Sequence, residues 1–182
     1  MTTPEPLDLR DDDLWDAPRP ATVVAPATAG RGGRRRGADG RTARRAERIE
    51  TRGRARALQA LYAADLRDIT DLRRIALQVW DDLAIDPAER TFASRLVEVV
   101  LDRRAEIDGS LGELTTNWRL DRLGAIERSV LRVGAAELLR GETPPRVVLQ
   151  EAIHLAERYG TARSARFVNG VLDAYARRLG RL

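Results

Sequence analysis

From Leu58 to Leu179 the apolar residues recur at steps of three and four, and no stretch alternates apolar with polar as a half-buried strand would. That periodicity confines the chain to packed helices. Leu58, Leu61, Tyr62 and Leu66 form a first apolar face on a helix expected over about 41–66. Leu72, Ile75, Ala76, Val79, Trp80 and Leu83 form a second, behind a Thr70 or Asp71 cap. Asp86-Pro87-Ala88-Glu89 is a helix start with proline at its first position, continued by Phe92, Leu96, Val99, Val100 and Ile107. A short piece around Leu111–Trp118 follows. Leu123–Leu139 turns Ile126, Val130, Val133 and Leu138 inward and stops at Gly141. Pro144-Pro145 opens a helix with Val148, Ala152, Leu155 and Tyr159, closed by Gly160. Ser164 caps a last helix carrying Val168, Val171, Leu172, Tyr175 and Leu179. The expected fold is all-α, two small packed helical bundles over about 41–108 and 109–182, without an internal repeat.

Residues 1–40 lack this pattern. They hold five of the eight prolines, several glycines and Ala/Thr spacers, and read as a disordered extension, acidic first and basic later. It is either a solvated tail or an acidic head that folds back on the arginines behind it. Eleven arginines lie between Arg31 and Arg56, opposed only by Asp39, Glu47 and Glu50. From Ala57 to Leu182, 19 arginines face 19 acids, so the net charge of +4 belongs to the N-terminal arm. All 32 basic residues are arginine, a bias that a GC-rich coding sequence produces, so position carries more information than residue type. At 100° per residue Arg41, Arg45, Arg48, Arg52 and Arg56 form one stripe continued by Gln59. Such a stripe beside a neutral body is the electrostatic footprint of a nucleic-acid partner. Gly53 weakens this helix, and its first half has little to pack against.

Other classes fare worse. No apolar run approaches a membrane span, and no basic-then-apolar leader opens the chain, so a cytoplasmic protein is expected. There is no cysteine, and His154 stands alone beside an apolar face. Asp81-Asp82 and Asp11–Asp13 lack the spacing of a metal loop. Neither catalysis, cofactor nor metal is expected. The segment from Gly160 to Gly170 is different: a helix stop, a short loop, and a new helix whose first turn offers free N–H groups reinforced by Arg163 and Arg166. Phe167 sits at the edge of the apolar face and Asn169 off it. Spacing alone supports both an ordinary capped helix plugged by Phe167 and a site where an unpaired base stacks and hydrogen-bonds.

Arg163–Asp173, with Phe167-Val168-Asn169-Gly170-Val171-Leu172-Asp173 at its centre, resembles the signature of the NusB family of transcription antitermination factors. Trp118-Arg119-Leu120-Asp121-Arg122-Leu123, Ile126-Glu127-Arg128-Ser129-Val130-Leu131-Arg132 and Val148-Leu149-Gln150-Glu151-Ala152-Ile153-His154-Leu155-Ala156 resemble its C-terminal half. Arg52-Gly53-Arg54 before Ala57-Leu58-Gln59-Ala60-Leu61-Tyr62 is similar to its arginine-rich first helix. The likeness spans roughly residues 42–178. Gln150 departs from the usual Asn, and Ala136 from a frequent aromatic.

The resemblance implies two perpendicular three-helix bundles that bind the single-stranded boxA element of the ribosomal RNA leader. It implies the ribosomal protein NusE as partner, within an RNA polymerase antitermination complex containing other Nus factors. The RNA-binding set expected from the stripe, the loop and the resemblance is Arg48, Arg52, Arg54, Arg56, Gln59, Arg163, Ser164, Arg166, Phe167, Val168 and Asn169. Tyr62 and Glu127 match positions that meet NusE. A ribosome-assembly chaperone or carrier for that ribosomal protein is the alternative, and a homodimer burying RNA-binding surface is a structural one. A NusB-like domain also occurs ahead of RNA cytosine methyltransferases, but the chain ends too soon after Arg178 for that reading.

Overall fold

The Leu58/Leu61 stripe lies on α1 (Arg36–Arg67), and Ala55, Ala57, Leu58, Ala60, Leu61 and Ala64 bury it against the rest of the protein. The structure, a computed structural model, describes residues 36–67, 71–115, 120–161 and 163–182. Expectations for residues 1–35, for a Thr70 cap and for the segment ending at Trp118 fall outside these. The helical periodicity extends through α2 (Leu72–Asp82), α3 (Pro87–Leu114), α4 (Ala125–Arg140), α5 (Pro145–Tyr159) and α6 (Ser164–Arg178), with a 3-10 turn at Leu120–Arg122. No described residue is in a strand, and no described helix is long and apolar enough to cross a membrane. The fold is all-α.

Local chemistry sets most boundaries. The Asp71 carboxylate accepts from the Arg74 N–H at 3.0 Å and starts α2. Asp86 does the same for Ala88 at 2.8 Å, with Pro87 at the first helical position of α3. Gly141 ends α4 in the left-handed region at φ +78°, where glycine carries no Cβ penalty. Three boundaries differ from expectation. α1 begins at Arg36, before residue 41. α3 continues to Leu114 past a non-helical Arg103, because Ile107 and Leu111 are fully buried and hold it beyond Gly109. The expected bundle division at 108/109 therefore falls inside a helix. At α6 the cap position is occupied by Arg163, and Ser164 is already the first helical residue.

α4 is the central element, with every residue from Ser129 to Leu138 buried. Its ion pairs give the directions of its neighbours. Arg54 of α1 meets Glu137, and Asp65 of α1 meets Arg128, so α1 runs antiparallel to α4. Ser164 meets Glu127, and Arg181, just beyond α6, donates to the Gly141 carbonyl, so α6 runs parallel to α4. α2 packs on α1, where the Trp80 indole N–H donates to the Arg56 carbonyl at 3.1 Å, and α3 packs against both α1 and α4. Buried apolar side chains from each helix, α1 to α6, form one cluster among the described residues.

Gly53 is not the weak point that propensity suggests. A Cβ there would stand 2.7 Å from Phe92 Cδ1, so the bare backbone lets α1 approach α3. Gly134 serves α4 and α6 in the same way, with Leu172 Cδ1 2.5 Å from the Cβ position.

Candidate nucleic-acid interface

The arginine stripe descends from solvent into the protein. Arg44, Arg45 and Arg48 are exposed. One turn later the Arg52 guanidinium, 35 % exposed, reaches Glu89 of α3 at 3.4 Å. Arg56 is deeper, held by Glu89 at 3.1 Å, and it donates to the Gln59 side-chain oxygen at 3.4 Å. Glu89 is thus a buried carboxylate clamped between two arginines, and it orients both. Gln59 itself is buried, which removes its amide from a contact surface. The stripe carries charge at its N-terminal end and structure at its C-terminal end.

Arg54 departs further from expectation. Its side chain is 2 % exposed and donates to both Glu137 carboxylate oxygens, at 2.8 and 2.5 Å. Glu151 at 3.8 Å and Glu50 at 3.6 Å lie nearby, and the guanidinium stands 5.0 Å from the Phe92 ring centroid. Burial works against its charge, but the hydrogen bond and charge of Glu137 outweigh that and raise its pKa above the ordinary arginine value. The reason is position. Stepping the Leu58/Leu61 face back one turn lands on Arg54, so the residue faces the core. Its role as an RNA contact is corrected to an internal tie between α1 and α4.

The second expected surface lies at the N-terminus of α6. Arg163, Arg166 and Asn169 are exposed, and Phe167 is half-buried against the core. Neither Arg163 nor Arg166 has an ion pair among the described residues, so both guanidiniums are available. Val168 is fully buried and is corrected from contact residue to core residue, as its place on the Val171/Leu172 face requires. Ser164 is also buried. Its hydroxyl donates to the Glu127 carboxylate and accepts from the Thr161 N–H at 2.7 Å, which pins the loop to α4. It supports this surface from beneath. The first turn of α6 has no side-chain cap, and its Ser164 N–H donates to the Thr161 carbonyl at 3.0 Å.

Glu127 of α4 and half-buried Tyr62 of α1 lie toward the same end of the antiparallel α1/α4 pair as Ser164. The arginine end of α1 lies at the other. Glu127 and Glu137, which mark these two levels, are ten residues apart, about 15 Å along α4 at 1.5 Å per residue. The candidate residues therefore form two patches joined by α4, one cationic and one carrying cations, an aromatic edge and an amide. Among the described residues no group of acids and histidine is arranged to hold a metal ion.

Residues 51–177 match the model of the NusB family. The transcription antitermination protein NusB of Sorangium cellulosum strain So ce56 is 42% identical over 131 residues, which cover 71% of this chain and 93% of that one. The corresponding protein of Myxococcus xanthus strain DK1622 is 40% identical over 129 residues, 68% of this chain and 91% of that one. A solved structure of T. maritima NusB is similar with a TM-score of 0.66 and 33% identity, covering 70% of this chain and 90% of that one. A crystal structure of antitermination factors NusB and NusE in complex with double-stranded RNA is similar with a TM-score of 0.66 and 29% identity, covering 72% and 98%.

Proposed function

This chain belongs to the NusB family, and on that premise we propose that it binds the boxA element of nascent ribosomal RNA together with NusE. Membership makes it an antitermination factor and not an enzyme. In this reading the pair joins RNA polymerase and other Nus factors in the cytoplasm and keeps ribosomal RNA transcription processive. Support comes from a related complex that contains NusB, NusE and RNA.

The observation that carries the reading is the exposed group at the start of α6. Arg163 and Arg166 have no carboxylate partner among the described residues, and they stand beside the Phe167 ring edge and the Asn169 amide. Cations hold phosphate without regard to sequence, whereas a stacked ring and an amide discriminate among bases. The exposed arginines of α1 extend the phosphate-binding track, and Arg52 exchanges Glu89 for phosphate at its edge. Tyr62 and Glu127 lie where NusE would complete the surface.

Two substitutions separate these contributions. Arg52→Ala weakens boxA and scrambled RNA about equally and lowers the slope of log affinity against log salt by about one. Asn169→Ala reduces the preference for boxA over scrambled RNA by about 1–3 kcal/mol, with the salt slope kept. Equal losses on both RNAs for Asn169→Ala would take base recognition away from this surface.

A further inference from the structure

Three glycines inside helices, Gly109, Gly112 and Gly170, have no described residue within 4 Å of the place a Cβ would occupy. Glycine destabilises a helix relative to alanine because it loses more backbone freedom on folding. Gly53 and Gly134 repay that by close packing, as described above. Gly109 and Gly112 lie near the C-terminal end of α3. Gly170 stands in the middle of α6, with helical residues on both sides, no positive φ and no neighbour to accommodate. Among the described residues nothing calls for its missing side chain.

Its surroundings say what does. One turn before Gly170 on the same face are Arg166 and Phe167, and one turn after are Asp173 and Ala174. Asn169 is its exposed neighbour. Within one turn of Gly170 on α6 stands the carboxylate of Asp173, which accepts from Arg177 at 2.8 Å; that hydrogen bond keeps its pKa below the ordinary aspartate range. Gly170 thus leaves a patch of bare, exposed backbone on this face, with the half-buried Phe167 and the exposed Arg166 one turn before it.

We propose that Gly170 is the floor of a nucleotide seat, where one nucleoside of the single-stranded RNA lies against the α6 backbone beside Phe167 and Arg166. The inference rests on the RNA reading above and deepens it. A methyl group at Gly170 occupies the space the nucleoside needs, so it blocks RNA while relieving the helix. Fold stability and RNA affinity then move in opposite directions, which a residue with a purely structural role does not do.

The experiment compares wild-type chain, Gly170→Ala, Gly170→Leu and the control Gly109→Ala. Thermal melting is measured alongside binding of a short boxA RNA, with scrambled single-stranded and double-stranded RNAs as further arms. Gly170→Ala is expected to melt above the wild type yet bind boxA at least about tenfold more weakly, the scale of one stacked base. Gly170→Leu binds more weakly still, and the salt slope of either variant stays that of the wild type because no phosphate contact is lost. Gly109→Ala is expected to melt higher and bind RNA unchanged. Undiminished boxA binding by Gly170→Ala and Gly170→Leu would overturn the seat and leave the RNA reading standing. A Gly170→Ala protein that melts lower than wild type would overturn it too, by showing an internal need for glycine. If the wild type binds no single-stranded RNA, the RNA reading fails first and the seat with it.

Discussion

Arg52 and Arg54 are two residues apart in an arginine-rich stretch, and the helix sends them to opposite environments. Arg52 keeps a third of its surface, whereas Arg54 is enclosed with Glu137 and has Glu151 at 3.8 Å. Removing one member of such a pair strands the other charge away from water. Glu137→Ala should therefore lower unfolding stability by about 3–5 kcal/mol in urea titration, and Arg54→Met with Glu137→Leu should recover most of it. A small loss in the single variant would mean that water reaches Arg54. The family likeness brought both residues into the RNA-binding set, although extending the Leu58/Leu61 face by one turn separates them. Val168 shows the same tension, since helical spacing places it inward and the family likeness placed it at the surface. At both positions periodicity agrees with the structure.

Among the elements, the boundaries that depend on neighbouring residues were legible. Asp71, Asp86-Pro87 and Gly141 act within one turn of themselves, and each stands at a helix end. The length of α3 was not legible, because distant residues bury Ile107 and Leu111 and carry the helix past Gly109 and Gly112. Glycine likewise reads the same in a sequence whether it weakens a helix or lets two helices touch. Gly134→Ala would press a Cβ to 2.5 Å from Leu172 Cδ1 and should destabilise the protein by about 1–3 kcal/mol in thermal or urea unfolding. An unchanged stability would show that α4 and α6 separate at little cost. The start of α6 depends on a similarly distant contact: Ser164 is buried by Glu127, 37 residues away in sequence, and so does not serve as the cap.

Across the molecule, α1, α3 and α4 meet in a charged cluster at the end nearer α6's first turn. Asp65 reaches Arg128 at 2.8 Å, Arg132 at 3.1 Å and Arg104 at 3.8 Å, while Asp108 holds Arg132 at 2.8 Å. Arg128 also donates to the Leu123 carbonyl at 2.9 Å, which ties the entry into α4 to the same cluster. Asp65→Ala should loosen α1 from α4, seen as faster amide exchange in both helices and a lower melting temperature; unchanged exchange would assign that junction to apolar packing alone. The cluster was not legible because Asp65, Asp108 and Arg132 are each ordinary surface residue types until three helices converge. The two-patch character of the candidate site was legible only in part: the arginine stripe and the α6 loop stand out in the sequence, but their levels along α4 required the fold. A surface that reads an RNA sequence with a protein partner must separate boxA from other RNA. The direct measurement is affinity for boxA RNA and a scrambled RNA of equal length, with and without NusE, across a salt series. Expected are tighter boxA binding at every salt concentration, a preference widened by NusE, and affinities for both RNAs that fall as salt rises. Equal affinity for boxA and scrambled RNA in the presence of NusE would contradict sequence reading by this surface.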